Sequence, residues 1–274
     1  MTSSGTYLFS IDLEDVRDFM KDGQQYAERV PAMTRRYLAF LRQRDSRCTF
    51  FVVGDVARKY PDLIRSIIND GHEIACHSNK HITLENLDEH TFHADLEENI
   101  QHLQNAGAKN IKGFRAPVLS LTNKTQWAYK VLSKLGFIYS SSVLPAHNPL
   151  YGWPEFGQRP KTIDGVLELP MTLSSSFYPL PFAGGTYFRA LPLWYTLNAF
   201  KRQHRKGDAI LGYFHPYDID TEQERFMHPG IHNNRFFNAL MYYNRHTVFS
   251  KLESILKRGW KIIPYSDFIQ QHYH

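Results

Sequence analysis

The chain has 274 residues, 42% of them apolar and 14% aromatic, which is enough for one sizeable core and a common length for a single α/β barrel unit. Lys plus Arg number 32 and Asp plus Glu 27, a formal charge of +5 with no concentrated basic stripe, so a nucleic-acid partner is not expected. Two cysteines, Cys48 and Cys76, are too few for a disulfide framework. With no basic-then-apolar leader at Met1-Thr2-Ser3-Ser4-Gly5 and no window near the ~18 apolar residues of a membrane helix, the expected location is the cytoplasm, without a transmembrane segment.

The elements alternate along the chain. Residues 6–11 predict a short apolar strand that runs into the acidic cluster Asp12-Leu13-Glu14-Asp15. A helix over 31–44 and a buried strand over 48–53 follow. Asp55 then reads as the cap of a helix whose apolar face carries Val56, Tyr60, Leu63, Ile64, Ile67 and Ile68 and which Gly71 ends. Residues 72–76 read as a strand, 86–106 as a long amphipathic helix, 112–114 as a short strand and 123–135 as a helix. The stretch 140–185, rich in Pro, Gly, Ser and aromatics, reads as long loops with one strand pair near 162–169. A helix over 191–205, a strand over 209–214, a polar His-rich loop, a helix over 247–257, a strand over 261–263 and a short tail helix complete the pattern. No linker or internal repeat divides the chain, so one domain over 1–274 is expected, a mostly parallel sheet with helices outside it.

In such folds chemistry gathers in the loops that leave the carboxyl ends of the strands. The polar residues at those exits are Asp12, Glu14 and Asp15 after the first strand, His77 and His81 after the third, Arg115 after the fourth, and His215 after the late strand. Two histidines four residues apart, placed on one helical turn, bring both rings to one side, where they can share a metal ion. Of the carboxylates, one can complete a His-His-carboxylate site and another, unligated, can act as general base on a water. Arg115 in Gly113-Phe114-Arg115-Ala116-Pro117 can keep a buried carboxylate ionised and oriented, with Pro117 holding the turn. His215, at the tip of Tyr213-Phe214-His215-Pro216, can give a proton to a leaving amine. Taken singly, these are also an ordinary surface pair, a helix cap, a salt bridge and a core histidine; their order at successive strand ends makes the case.

These motifs resemble the NodB-homology polysaccharide deacetylases, carbohydrate esterase family 4. Ser10-Ile11-Asp12-Leu13-Glu14-Asp15, Leu167-Glu168-Leu169-Pro170, Gly184-Gly185-Thr186-Tyr187-Phe188-Arg189 and Phe214-His215-Pro216-Tyr217-Asp218-Ile219-Asp220 resemble the branch found in exopolysaccharide and O-antigen gene clusters. The resemblance implies a distorted (β/α) barrel with fewer than eight complete units. It implies Asp12 as general base, His77 and His81 as ligands of a divalent metal, Zn²⁺ by expectation, Arg115 as the residue orienting Asp12, and His215 as general acid. Many members carry two adjacent aspartates where this chain has Asp12-Leu13-Glu14-Asp15, so the third ligand is Glu14 or Asp15, with Glu14 preferred.

The implied reaction removes an N-acetyl group from an amino sugar of a bacterial surface polysaccharide or its precursor, whether polymer, lipid-linked or nucleotide-linked, giving acetate and the free amine. Two alternatives accompany it: a metal-free, allantoinase-like hydrolase of a small ureide, and a sugar-binding protein that keeps the fold without catalysis. Pro117, Tyr187, Arg189 and Tyr217 are expected on the substrate side, Arg189 toward a phosphate or carboxylate. Tyr151, Trp153, Tyr178, Tyr187 and Tyr217 are aromatics that could stack on a sugar ring.

Overall fold

The computed structural model describes residues 5–148, 151–174 and 179–273. In chain order its strands are β1 (Thr6–Leu13), β2 (Thr49–Val52), β3 (Glu73–Cys76), β4 (Gly113–Phe114), β5 (Tyr139–Ser140), β6 (Lys161–Ile163), β7 (Val166–Glu168), β8 (Ile210–Phe214) and β9 (Lys261–Ile262). The helices are α1 (Val30–Arg42), α2 (Gly54–Lys59), α3 (Pro61–Asn69), α4 (Glu89–Asn105), α5 (Ala128–Lys134), α6 (Gly185–Ala190), α7 (Leu193–His204), α8 (Arg235–Tyr242), α9 (Val248–Leu256) and α10 (Tyr265–His272). Among the described residues, no helix is long and apolar enough to cross a membrane.

One sheet runs β6-β7-β5-β4-β3-β2-β1-β8, parallel except for the β6–β7 hairpin, with β9 beside the start of β1. Side chains alternate across β1 with the period of two that a strand imposes. Tyr7, Phe9, Ile11 and Leu13 enter the core shared with the outer helices, while Leu8 enters a second core with Phe51, Ala75, Tyr139, Leu167 and Leu211. Six strands contributing to that second cluster means that the sheet curls around it, and α10 seals it with Tyr265, Phe268 and Ile269. The barrel stays incomplete. Among the described residues no strand pairing joins β7 to β8; the 169–173 segment passes there, and Thr172 Oγ1 accepts a hydrogen bond from the Leu211 N–H.

Several boundaries differ from the sequence reading for local reasons. The helix expected to be capped by Asp55 starts at Gly54, and Pro61 divides it into α2 and α3. The helix expected over 191–205 is α7, which starts at Leu193 directly after Pro192. The helix expected from 123 begins at Ala128, since Thr125 Oγ1 accepts from the Thr122 N–H and ties that segment into a turn. The long helix behaves as expected: Asp88 and Thr91 form a reciprocal cap ahead of α4. Three elements were not expected: β5 at Tyr139–Ser140, α6 at Gly185–Ala190 and α8 at Arg235–Tyr242.

Candidate active site

Ser10 and Asp12 share the inner face of β1 with Leu8, so the strand's own alternation delivers Asp12 to the mouth of the curled sheet, almost fully buried. Arg115 leaves the end of β4 and is completely buried. Its fork is fully used: Nη1 donates to Asp12 Oδ1 (2.5 Å) and Ser10 Oγ (2.8 Å), Nε to the Ser141 carbonyl (2.9 Å), and Nη2 to Tyr265 Oη (2.9 Å) and Ser141 Oγ (3.3 Å). The guanidinium also lies 3.9 Å from the centroid of the Phe51 ring. One oxygen of Asp12 is thereby held, and the other points to His77, whose Nε2 is 3.9 Å from Oδ2.

Glu14, His77 and His81 form a compact donor set, one ligand atom from each lying within 4.8 Å of the others. Glu14 Oε2 is 2.7 Å from His81 Nε2 and 3.8 Å from His77 Nε2. His77 Nδ1 donates to the Arg115 carbonyl at 2.8 Å, which leaves Nε2 unprotonated and turned to Glu14, the arrangement expected of a metal-binding imidazole. Burial, the largest influence, lowers the His77 pKa to about 4 and keeps the ring neutral, as a ligand must be. For Glu14 burial opposes ionisation, yet the imidazoles of His81, His215 and His77 outweigh it and hold the carboxyl at about 2. Two imidazoles and a carboxylate, clustered together, fit a divalent ion with an open side toward substrate.

The His77–His81 stretch is not the helical turn that the spacing suggested. It is a loop with Ser78 and His81 at φ of 60° and 54°, and the rings converge, centroids 5.0 Å apart, because the loop is pinned from behind. Asp95 on α4 accepts from the N–H groups of Asn79 (2.7 Å) and Lys80 (3.0 Å), Asn99 Nδ2 donates to the Ser78 carbonyl, and Phe19 stacks on His81 at 4.3 Å. Gly54 permits this approach: a Cβ there would lie 2.0 Å from Asn79 Oδ1.

His215 follows β8 on the opposite side of Glu14, its Nε2 3.8 Å from Glu14 Oε1. Its backbone N–H donates to Asp218 Oδ2 (2.8 Å) and its Nδ1 faces the same oxygen at 3.1 Å. Arg189 Nε donates to Asp218 Oδ1 at 2.9 Å. Burial opposes protonation of His215, but Glu14 and Asp218 outweigh it and raise the pKa to about 9. Tyr217 stacks on the His215 ring at 4.5 Å.

Two expected roles are corrected. Asp15 is not a ligand: its carboxylate turns away from the cluster to accept from the Arg17 N–H, Nε and Nη2, forming a buried ion pair that starts a short turn. Arg189 is not a substrate contact. It is fully buried, and besides Asp218 it donates to the carbonyls of Leu240, Met241 and Tyr243 and to Thr186 Oγ1. Pro117 is buried and opens the turn that carries exposed Val118. Tyr187 is 40% exposed. Trp153 packs against Phe156 in a side core, Tyr151 is half-buried, and Tyr178 lies outside the described residues. Sequence reasoning missed Phe19, Asp95 and Tyr265, which give no signal at their positions. It also missed Asp218, which does give one, an acid three residues beyond a strand-end histidine.

Residues 21–139 match the family model described as polysaccharide deacetylase, and residues 141–262 match a second described as a domain of unknown function. Both halves build the one sheet. The chain is 32% identical over 116 residues to chitin deacetylase 1 of Saccharomyces cerevisiae, covering 42% of this chain and 38% of that protein. It is 29% identical over 96 residues to a peptidoglycan-N-acetylglucosamine deacetylase of Bacillus cereus, covering 35% of each. The chain thus spans little more than a third of the curated relatives it matches. A solved structure from Mycobacterium smegmatis, described as a polysaccharide deacetylase, shares the fold over 99% of this chain and 92% of its own, with a TM-score of 0.62 and 19% identity.

Proposed function

We propose that this chain, whose residues 21–139 match the polysaccharide deacetylase family, is a metal-dependent hydrolase that removes the N-acetyl group of an amino sugar, releasing acetate and the free amine. The observation that carries this reading is the cluster of Glu14, His77 and His81, flanked by Asp12 at 3.9 Å from His77 and by His215 at 3.8 Å from Glu14. A bound divalent ion, Zn²⁺ by its preference for imidazole and carboxylate donors, would polarise the amide carbonyl and a water.

Asp12, fixed by Arg115 on one oxygen, accepts the water's proton through the other as the new C–O bond forms. His215, charged because Glu14 and Asp218 face it, donates its proton to the departing nitrogen as the C–N bond breaks. Asp218, itself held by Arg189, keeps Nδ1 occupied so that Nε2 is the proton that moves. The ligand cluster speaks against the metal-free ureide reading, and the set of groups on both sides of it speaks against a non-catalytic one. The similarity to chitin and peptidoglycan deacetylases supports an N-acetylglucosamine-type substrate, and we place it in a bacterial surface polysaccharide or its precursor.

The test is acetate release from N-acetylated amino sugars offered as chitin oligomers, peptidoglycan fragments, nucleotide-linked and lipid-linked forms. Wild type should release acetate from at least one, and Asp12→Asn and His215→Ala should each lose about two to four orders of magnitude in turnover. Hydrolysis by Asp12→Asn at the wild-type rate would remove that residue from the mechanism.

A further inference from the structure

Phe236 and Phe237 of helix α8 face outward. A surface helix ordinarily buries its apolar stripe and shows its polar face to water. Here polar side chains point inward beside the half-buried Leu240 and Met241. Asn238 Nδ2 donates to the Phe226 carbonyl and its Oδ1 accepts from the His228 N–H, both at 3.0 Å, while Tyr242 Oη accepts from the Phe226 N–H at 2.9 Å. The outward residues are Phe236, Phe237, Ala239 and Tyr243, with Phe236 68% exposed, Phe237 52% and Tyr243 50%; no residue of the helix is buried. The helix is nonetheless firmly made. Asn234 caps it by accepting from the N–H groups of Phe236 and Phe237, and Arg189 Nη1 takes its last carbonyls. Exposure of the two phenylalanines is therefore set by the architecture, and a patch of this kind marks a docking surface.

We infer that this face of α8 docks on a membrane bearing anionic lipid headgroups. Charge supports the assignment. From Arg225 to Leu252 there is no Asp or Glu, while Arg225, Arg235, His232 and His246 are exposed. Residues 169–207, which contribute the neighbouring α6, also contain no acid. Among the described residues, no carboxylate pairs with Arg235. Exposed aromatic rings flanked by uncompensated cations are the composition of an interfacial helix. A second copy would set Arg225 and Arg235 of the two patches against each other. The position is functional as well. Arg189 joins the carbonyls at the end of α8 to Asp218 and through it to His215, so the helix and the catalytic histidine share one buried network.

The test is cosedimentation of the full chain with vesicles of phosphatidylcholine alone and of phosphatidylcholine with phosphatidylglycerol, beside the double variant Phe236→Glu/Phe237→Glu. Wild type should pellet with the anionic vesicles, at least tenfold less with the neutral ones, and less at high salt. The double variant should bind the anionic vesicles at least tenfold more weakly while hydrolysing a water-soluble substrate normally. Failure of wild type to pellet, or equal pelleting of the double variant, overturns the assignment. A wild-type dimer that the double variant turns into a monomer would overturn it too, by making the face a contact between copies. Because vesicle binding is read without turnover, a failure of the deacetylase reading would be distinguishable from a failure of this one.

Discussion

Replacing Arg115 by alanine removes the only cation hydrogen-bonded to Asp12 among the described residues, in a place with almost no access to water. Breaking a buried pair by deleting one partner costs about 3–5 kcal/mol, because the remaining charge is left uncompensated. Asp12→Ala leaves the guanidinium with Ser10, Ser141 and Tyr265 but without its counter-charge, and should cost a similar or smaller amount. Removing both leaves no orphaned charge. The double variant should therefore be less destabilised than the sum of the singles by about 2–3 kcal/mol, the upper range of pairwise coupling. Arg115→Lys should fall between, since one ammonium can meet Asp12 but cannot span Ser141 and Tyr265 as well. Urea unfolding monitored by circular dichroism, with the m-value checked for constancy, gives all four stabilities. Additivity within about 0.5 kcal/mol would refute the reasoning, and Arg115 would then be a packing residue that merely lies near Asp12.

His72, buried away from the site, accepts the Cys48 N–H on Nδ1, and burial lowers its pKa to about 4. The unfolded chain takes up that proton near pH 6.5, so the stability His72 contributes is present above pH 6.5 and is lost as pH falls toward 4. The loss is about 3 kcal/mol and should be absent in the unfolding curves of His72→Asn. Gly54→Ala should push Asn79 and the loop it belongs to, costing about 1–3 kcal/mol and weakening metal binding, as read by calorimetric titration of the chelated protein with zinc. His81→Ala should leave the fold intact but lower the metal bound per chain in elemental analysis; an unchanged content would take His81 out of the ligand set.

The convergence of the site was legible because strand periodicity is a strong signal. Six residues at the exits of β1, β3, β4 and β8 are drawn together by parallel strands whose order in the sheet follows from right-handed connections. What the sequence left open was decided by neighbours remote in the chain. Glu14 and Asp15 are adjacent carboxylates after one strand, and only Arg17, reaching back to Asp15, turns the second away from the histidines. Arg189 looked like a free cation on a glycine turn because its partners, Asp218 and the carbonyls of α8, lie about 30 and 50 residues further on. Helix α8 itself escaped notice since it is short and two of its largest apolar residues, Phe236 and Phe237, face outward, which blurs the stripe that identifies a surface helix. The two-residue β5 is too short to carry any period.

The central claim is that Glu14, His77 and His81 hold one divalent ion that the acyl-transfer site requires. The direct measurement is acetate release by wild-type protein before and after chelation and after readdition of zinc, with metal counted on the same samples. The account predicts one ion per chain, activity that disappears with it and activity that returns with it. Acetate release that persists in the metal-free protein would contradict it.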